Sequence, residues 1–430
     1  MHIAVGVIAL SLKFLTWPQA AAMAVAAVMF NLFVLPRLTH QVFRPGDLDR
    51  PWTSGIVIYP LAVLGLILVF RERLDLAAAA WGILAAGDGM ATLVGTTVRS
   101  PRLPWNPDKS VAGLAAFIGT ASVASVGLLI WSTGGSPVTP LWWAVAASVV
   151  AGLVETIPIH LDDNLSVPVA AAFVLWTSTL MDPHVLASRG PAIAGEAAMA
   201  LKANGAIALA GLLAQTVTAS GALAGLAIGV VVVLGGGWAA WGLLLATFIV
   251  ASVCTRLGAA RKVAAGIAED RGGRRGPGNA IANTGLAAWA CAVAIGMPDP
   301  SLALLACVAA LATAGSDTVA SEIGKAYGRS TWMVTSLRRV APGTTGAVSI
   351  EGTLAGTISA AGLAALGAWG GLVPWMAVPL ITAAATVASL IEGALGSTLE
   401  ARGILNNDTL NFVNSAIGAA ITVVAWWCMT

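Results

Sequence analysis

The chain has 430 residues, of which 58% are hydrophobic and only 10% are charged, and its mean hydropathy is +0.86. Soluble domains carry roughly 25% charged residues, so this composition excludes a soluble enzyme, a nucleic-acid reader and a disordered protein. The net charge of +2 gives no reason to expect a polyanionic partner. The sequence therefore predicts a polytopic membrane protein that is embedded in the lipid bilayer and binds no nucleic acid.

About fifteen apolar runs follow one another along the chain, and the weakest are the first run and the run 219–234. They cover residues 3–15, 18–36, 53–70, 75–97, 110–131, 141–160, 165–181, 198–217, 219–234, 238–255, 279–296, 301–323, 347–369, 375–396 and 409–428. The predicted fold class is all-α, with about 15 transmembrane helices. The first helix is expected to be retained, because no cleavage signal follows it.

The loops between these runs alternate in charge. One alternate set holds 17 of the 22 lysines and arginines, and the other holds Lys13, Arg71, Arg73, Arg189 and Lys202. By the positive-inside rule the richer set lies in the cytoplasm, so we expect active sites on the cytoplasmic face of the cell inner membrane. The cysteines and histidines are scattered, which predicts neither a disulfide framework nor a zinc site.

Two aspartates, Asp88 and Asp317, follow long apolar runs, where a carboxylate is costly and usually marks a site. The segments DGMATLVG (88–95) and DTVASEIG (317–324) share Asp, then Ala at +3, Thr or Ser at +4 and Gly at +7. These offsets fall on one face of a helix. The two segments therefore predict one polar helix face in each half of the chain.

Further polar features follow in the same order in both halves: a basic loop, a Ser-x-x-Gly helix start, a glutamate and an Asp/Asn cluster. The serines are Ser110 and Ser349, the glutamates Glu155 and Glu392, and the clusters lie at 161–168 and 405–412. This order predicts an internal repeat and two related helical bundles. The predicted domains are residues 1–190 and 191–430, with the junction near 185–197.

Carboxylates and amides meet basic residues in each half, and hard oxygen ligands of this kind suit Mg²⁺. The candidate metal ligands are Asp88, Glu155, Asp162, Asp163, Asp317, Glu392 and Asp408. The neighbouring amides, which could bind metal or substrate, are Asn164, Asn406, Asn407 and Asn411. An Asp beside a helix start can equally be an N-cap, and for Asp162 that alternative stays open.

Candidate phosphate-binding groups surround these carboxylates, and phosphoryl transfer needs mainly positioning and charge neutralisation. In the first half they are Thr92, Arg99, Arg102, Lys109 and Ser110. In the second half they are Ser321, Arg338 and the loop PGTTG, whose backbone N–H groups at Gly343, Thr344 and Gly346 could cradle phosphate. The candidate catalytic residues are Asp88, Lys109, Asp317 and Glu322. The motif GxxxxGK[ST] is absent, which excludes a P-loop kinase.

The motifs of the first half resemble those of phytol kinases, which belong to the CTP-dependent polyprenol kinases. They are GDGMATLVG (87–95), LPWNPDKSVAG (103–113), VETIP (154–158) and LDDNLSVP (161–168). The second half is similar to a related family, that of phytyl-phosphate kinase. Its matching segments are RGPGNAIANTG (275–285), SDTVASEIG (316–324), VAPGTTGAVSIEGTLAG (340–356), EGALGSTLEARG (392–403) and LNNDTLNFVNSAIGA (405–419).

The resemblance implies a bifunctional membrane enzyme, which phosphorylates phytol or a similar isoprenoid alcohol and then its monophosphate. It implies CTP or another NTP as donor, with Mg²⁺. It also implies roles for Asp88 and Lys109 as Mg²⁺ and phosphate residues, and for Asp317, Ser321, Glu322, Gly343 and Asn407 in the second half. One departure is that no lysine precedes Ser349.

Two other classes of protein fit part of the pattern. A CTP-dependent cytidylyltransferase making a CDP-activated lipid would use similar groups, and it would release pyrophosphate where a kinase releases CDP. A transporter built from repeats also has duplicated halves with polar helix breaks. Against a transporter, the polar motifs lie at the predicted cytoplasmic side and not at the membrane midplane.

Overall fold

The structure is a computed structural model that describes residues 2–39, 54–135, 141–159, 161–267 and 273–430. The chain divides into two compact units, Met1–Leu180 and Met181–Thr430. The segment predicted as a junction, 185–197, is helical, since Pro183–Leu213 is one helix capped by Asp182. Three basic residues assigned to the cytoplasmic side (Arg44, Arg50 and Arg271) lie outside the described residues.

The described residues of the first unit form helices and one β-hairpin. Its helices are α1 (His2–Gly6), which continues as a 3-10 helix (Val7–Phe14), α2 (Trp17–Met29), a π-helical turn (Phe30–Val34), α3 (Leu35–Leu38), α4 (Gly55–Val69), α5 (Leu74–Gly82), a π-helical segment (Ile83–Asp88), α6 (Gly89–Thr97), α7 (Val111–Ser132), α8 (Leu141–Glu155) and α9 (Asp163–Ser178). Strands β1 (Arg102–Leu103) and β2 (Asn106–Ser110) pair antiparallel between α6 and α7.

The second unit is also helical and carries one small sheet. Its helices are α10 (Pro183–Leu213), α11 (Ala219–Arg256), α12 (Ala259–Ala264), α13 (Pro277–Ala294), α14 (Ser301–Tyr327), α15 (Ile350–Trp369), α16 (Ala377–Leu395) with a π-helical extension (Gly396–Glu400), and α17 (Asn407–Met429). Strands β3 (Thr331–Met333), β4 (Arg339–Val340) and β5 (Ala347–Ser349) form an antiparallel sheet in the order β4-β3-β5. The sequence reading did not anticipate either group of strands.

Helix α11 is a hairpin of two arms, 219–236 and 238–256. Gly237 interrupts the helix with φ of 72°, a left-handed conformation that glycine adopts without strain. The carbonyl of Arg275 accepts from Thr218 N at 3.0 Å, and its guanidinium donates to Thr255 Oγ1 at 3.5 Å. In a straight helix Thr218 and Thr255 would lie about 55 Å apart, so the arms must be antiparallel. The separate apolar runs 219–234 and 238–255 correspond to these arms.

The helices have the length and composition that a bilayer requires. Among the described residues, nine helical stretches are long and apolar enough to cross a membrane, and three more are apolar but shorter. Within the described residues, each apolar run of the sequence falls mostly on helices. The all-α integral membrane class is confirmed, whereas the count of about 15 crossings stays a prediction.

Small residues form much of the core of the second unit. Ala309, Ala310 and Ala312 of α14 are fully buried, together with Ala364 of α15 and Ala385 of α16. In a bilayer the hydrophobic effect does not drive helices together, so close packing through small side chains supplies the contact energy. Helix α14, which carries Asp317, is therefore packed closely against its neighbours in this unit.

The two units share a local arrangement at the helix that follows each sheet. Ser110 caps α7 by accepting from Gly113 N at 3.1 Å, and Ser349 caps α15 by accepting from Gly352 N at 3.0 Å. A Cβ added to Gly113 would press on Ala91 O, and one added to Gly352 would press on Ala320 O. Ala91 and Ala320 are the +3 positions of the two aspartate motifs. The duplication itself stays a prediction that these shared contacts support.

The orientation predicted from the charge bias can be measured with introduced cysteines. In a Cys428→Ser background, Asp108→Cys of the first hairpin and Arg338→Cys of the second sheet are exposed positions, whereas Asn106 is buried and unsuitable. We expect an impermeant thiol reagent to label both from the cytoplasmic side only. Met376 is 72% exposed and lies between the end of α15 and the start of α16. Met376→Cys is the matched control and should react from the other side. Labelling of Asp108→Cys and Arg338→Cys from opposite sides would contradict a shared face.

Candidate functional site

Asp88 lies where a helix changes its winding. Helix α5 continues through the π-helical segment Ile83–Asp88 into α6, so Asp88 is the last residue of the π segment. Single π-helical turns inside α-helices are rare and often occur at functional sites. The changed winding directs the Asp88 side chain toward Glu155 and Asp163.

The β-hairpin of the first unit brings Lys109 to the same place. Asn106 Nδ2 donates to the Thr156 carbonyl at 3.0 Å, which anchors β2 to the end of α8. Arg102 donates to the Asp108 carbonyl at 3.1 Å and so braces the hairpin. These contacts position the lysine ammonium beside the last residue of α8, Glu155.

Four charged side chains meet at this point. Lys109 Nζ donates to Glu155 Oε1 and lies 3.4 Å from Asp163 Oδ2. Carboxylate oxygens of Asp88, Glu155 and Asp163 all lie within 4.8 Å of one another, and Glu155 is only 5% exposed. We call Asp88, Glu155, Asp163 and Lys109 the first charge cluster. Its three carboxylates offer the hard oxygen ligands that a divalent cation prefers.

Lys109 stays protonated in this cluster. Burial lowers the pKa of Lys109, but the hydrogen bond and charge of Glu155, with the charge of Asp163, outweigh it and raise the pKa above its ordinary value. A raised lysine pKa favours the charged form at all neutral pH values. The ammonium is therefore a permanent positive charge at the site.

Several candidates of the first half lie outside the cluster. Asp162 caps α9, since its Oδ1 accepts from Asn164 N at 2.8 Å, and the Asn164 side chain packs against Gly55. Thr92 and Arg99 are exposed on and just after α6. Ser110 is the helix cap described above and Arg102 braces the hairpin. Binding roles for these residues stay predictions.

In the second unit, Asp317 of α14 meets Glu392 of α16. The two carboxyl groups lie close enough to interact directly. Asn411 of α17 donates to Glu392 Oε1 at 3.2 Å in the amide orientation that satisfies both of its polar atoms. We call Asp317, Glu392 and Asn411 the second charge cluster. Two carboxylates this close repel each other unless a proton or a cation neutralises part of their charge.

The neighbouring polar residues of α17 occupy its first turn. Asn406 is the N-cap and accepts from Thr409 N at 2.8 Å, while Asn407 is exposed as the first helical residue. Asp408 packs against Gly278 at the start of α13. By the position of the caps, Asn407 corresponds to Asp163 in the first unit, because each follows the capping residue of its helix.

Glu322, a candidate catalytic residue, is buried in an ion pair with Lys262. Both side chains are nearly inaccessible, at 3% and 2% exposed. Lys262 also donates to the Thr255 carbonyl at 2.6 Å, and Lys325 lies 3.9 Å from Glu322 Oε1. The sequence reading assigned Lys262 only to the cytoplasmic charge set. Lys262 lies between two apolar helices and is 60 residues from Glu322 in the sequence. No short-range spacing pattern therefore predicts the pair.

The PGTTG loop contains two glycines with left-handed φ values, Gly343 at 84° and Gly346 at 75°. The amide and the hydroxyl of Thr344 both donate to the Ala341 carbonyl, at 3.2 and 2.7 Å. That amide is therefore engaged within the loop. Arg338 and Ser321 are exposed, and their phosphate-binding roles stay predictions.

The two clusters carry the same formal charge by different means. With every group ionised, as when a cation is bound, three carboxylates and one ammonium give −2 in the first cluster, and two carboxylates give −2 in the second. The lysine that precedes Ser110 is absent before Ser349, and Asp163 is matched by Asn407. The two changes compensate each other, so both clusters suit a divalent cation.

The Lys262–Glu322 pair predicts a measurable stability effect. Lys262→Met should lower the free energy of unfolding by about 3–5 kcal/mol, because it leaves Glu322 buried without its nearest cation. The double variant Lys262→Met, Glu322→Leu should recover most of that loss. Thermal unfolding in detergent measures both. A single variant as stable as the parent would show that the pair is not structural.

Comparison with known proteins identifies relatives of this chain. The family described as integral membrane protein DUF92 matches residues 203–419. An uncharacterized membrane protein of Synechocystis sp. is 44% identical over 200 residues, which cover 46% of this chain and 77% of that protein. The chloroplastic protein VTE6 of Arabidopsis thaliana is 34% identical over 220 residues, 50% of this chain and 66% of the relative.

Chloroplastic phytol kinase 1 of Arabidopsis thaliana is 30% identical over 148 residues, 33% of this chain and 48% of that protein. The chain therefore spans about half the length of this relative. Its similarity confirms the resemblance to phytol kinases drawn from the motifs. No solved structure matches the chain.

Proposed function

The chain belongs to the DUF92 family of integral membrane proteins. From its charge clusters and its similarity to phytol kinase, we propose that it is a membrane kinase for isoprenoid substrates. The first unit phosphorylates an isoprenoid alcohol, and the second phosphorylates the monophosphate to the diphosphate. The phytol kinase relative supports a kinase acting on a prenyl alcohol. The donor in this proposal is CTP or another NTP, bound from the cytoplasmic side.

The observation that carries the proposal is the first charge cluster. Asp88, Glu155 and Asp163 converge from three different helices, and Lys109 reaches them from a hairpin. A group of carboxylates this close repels itself unless cations neutralise it. Such an arrangement costs stability, so a purely structural role explains it less well than a role in binding metal and phosphate.

The donor set fits Mg²⁺. Asp88, Glu155 and Asp163 would hold the ion in the first unit, and Asp317 with Glu392 would hold it in the second. Bound Mg²⁺ neutralises phosphate charge and orients the nucleotide for transfer. Asn411 holds Glu392 in place through its amide.

The protein groups have distinct tasks in this proposal. Lys109 is a fixed positive charge that can bind the transferring phosphoryl group, and lysine is a common phosphate ligand. The exposed guanidiniums of Arg99 and Arg338 are candidates for attracting the nucleotide from solution. In the first unit, a carboxylate of the cluster would accept the proton of the attacking hydroxyl, whereas the phosphate that attacks in the second unit is already ionised and needs no base.

The nucleotide product tests this proposal against the cytidylyltransferase alternative. Purified protein is given phytol or phytyl monophosphate, with Mg²⁺ and CTP that is labelled at either the α- or the γ-phosphate. A kinase transfers only the γ-label to the lipid and releases CDP, with EDTA abolishing both. Transfer of the α-label together with release of pyrophosphate would overturn the kinase and favour the alternative.

A further inference from the structure

The second unit contains an apolar cavity that the charge clusters do not use. It has a volume of about 130 Å³ and lies among α10, the two arms of α11, α13 and α14. Apolar side chains, among them Leu226, Leu244 and Phe248, form most of its wall. Ile207, another lining residue, is 37% exposed on the outer surface of α10. The cavity thus adjoins the surface that faces lipid.

At the deep end of the cavity, Trp241 and Asn204 are hydrogen-bonded to each other. Trp241 Nε1 donates to Asn204 Oδ1 at 2.9 Å, and Asn204 Nδ2 donates to the Ala200 carbonyl at 2.9 Å. From Trp241 to Ala251, both lining residues, the second arm of α11 extends about 15 Å. The cavity is therefore elongated along the helices, and its deep end suits hydrocarbon.

The other end of the cavity is polar. Arg275, Asn279 and Thr318 line it there. The Arg275 guanidinium donates to Asn279 Oδ1 at 2.7 Å and to Thr255 Oγ1 at 3.5 Å, so two side chains fix its orientation. An oriented guanidinium is well suited to recognise a phosphate.

This polar end adjoins the second charge cluster. Thr318 is the residue after Asp317 on α14, and Ala314, one turn earlier, also lines the cavity. The same helix therefore presents Thr318 to the cavity and Asp317 to Glu392 of α16. An amphiphile with its tail in the cavity would have its headgroup beside Arg275 and the carboxyl pair.

We propose that the cavity binds the isoprenoid segment next to the headgroup of a prenyl monophosphate, while Arg275 binds its phosphate. This inference rests on the proposed function and adds a substrate site to it. An apolar cavity of about 150 Å³ accommodates benzene, so this one holds about one isoprenoid unit. The rest of the tail lies over Ile207 in the lipid.

Two matched pairs of variants test the site. Gly225 lines the cavity and an added Cβ meets no atom within 4 Å, whereas Gly242 has equal space but lies outside the cavity. Gly225→Leu should raise KM for phytyl monophosphate about tenfold, because the new side chain would displace about two methylene groups of the substrate from the cavity. Gly242→Leu should leave KM unchanged, and neither variant should alter alcohol phosphorylation.

The headgroup is tested in the same way. Arg275→Gln should raise KM for the monophosphate about tenfold to a hundredfold, since it removes a charge-assisted hydrogen bond. Arg256→Gln is the control, because Arg256 follows Thr255 at the end of α11 and donates to the Ala214 carbonyl but does not line the cavity. Equal KM values in Arg275→Gln and Arg256→Gln would remove Arg275 from the site.

A binding readout separates this inference from the proposed function. A prenyl monophosphate probe, photoreactive in its first isoprenoid unit, should crosslink to peptides of α11 and α13 in the intact protein, and phytyl monophosphate should compete. Crosslinking elsewhere in a protein that still phosphorylates monophosphate would overturn the site alone. Equal competition by phosphatidic acid vesicles would instead make it a general lipid site. Crosslinking at the cavity without any phosphorylation would retain the site and overturn the kinase.

Discussion

Asp88→Asn abolishes phosphorylation of the isoprenoid alcohol but leaves conversion of supplied monophosphate intact; this is the largest effect that we expect. The substitution removes one of the three carboxylates that lie within 4.8 Å of one another and keeps the side-chain volume. Loss of a positioned charge in such a site costs several kcal/mol of transition-state stabilisation, roughly a thousandfold in rate. Lys109→Ala should act in the same way. Separate assays of the two steps, each started from its own substrate, measure the effect.

Asp108→Asn is the matched control for this prediction. Asp108 lies on the same hairpin as Lys109, and its side chain is exposed outside the charge cluster. Its rate should stay within about twofold of the parent, the scale of an ordinary surface substitution. If Asp88→Asn removed both activities equally, a single composite site would be the better account.

The second large effect belongs to the second charge cluster. Asp317→Asn should cause monophosphate to accumulate from alcohol, with the first step undiminished and the second reduced roughly a thousandfold. Glu392→Gln should do the same, because Glu392 is the second carboxylate of this cluster and interacts with Asp317. Time courses that resolve mono- from diphosphate show the accumulation directly.

Glu351→Gln serves as the control here. Glu351 lies in the first turn of α15 and accepts from Arg329 N at 3.3 Å, away from the Asp317–Glu392 pair. Diphosphate should form from this variant as from the parent. Diphosphate formation by Asp317→Asn at the parental rate would exclude the second cluster as the site of the second step.

The long apolar runs predicted most of the helices, because a helix that crosses the bilayer needs about 20 mostly apolar residues. The break at Gly237 was also readable, since three consecutive glycines at 235–237 separate two apolar runs. The short strands were not readable. Segments of two to five residues, such as Arg102–Leu103 and Asn106–Ser110, carry too few side chains for an alternating pattern.

The candidate site was predicted in part. The sequence predicts Asp88 and Glu155, because carboxylates near apolar runs are costly and both recur in the second half as Asp317 and Glu392. It predicts Lys109 as a phosphate-binding residue and Asp163 as part of an Asp/Asn cluster. Lys262 was missed, since its partner Glu322 is distant in sequence and the lysine sits in an ordinary basic segment. The sequence predicts Arg275 only as a basic residue of a loop. The cavity that it lines is what indicates another role.

The measurement that tests the central claim most directly uses the intact protein in detergent or lipid. Phytol, Mg²⁺ and CTP labelled at the γ-phosphate are supplied, and the lipid products are resolved over time. Two sequential phosphorylations predict that monophosphate appears first and diphosphate follows, both carrying label and both dependent on Mg²⁺. Absence of label from both lipid products with every nucleoside triphosphate, in protein shown to be folded, would contradict the account.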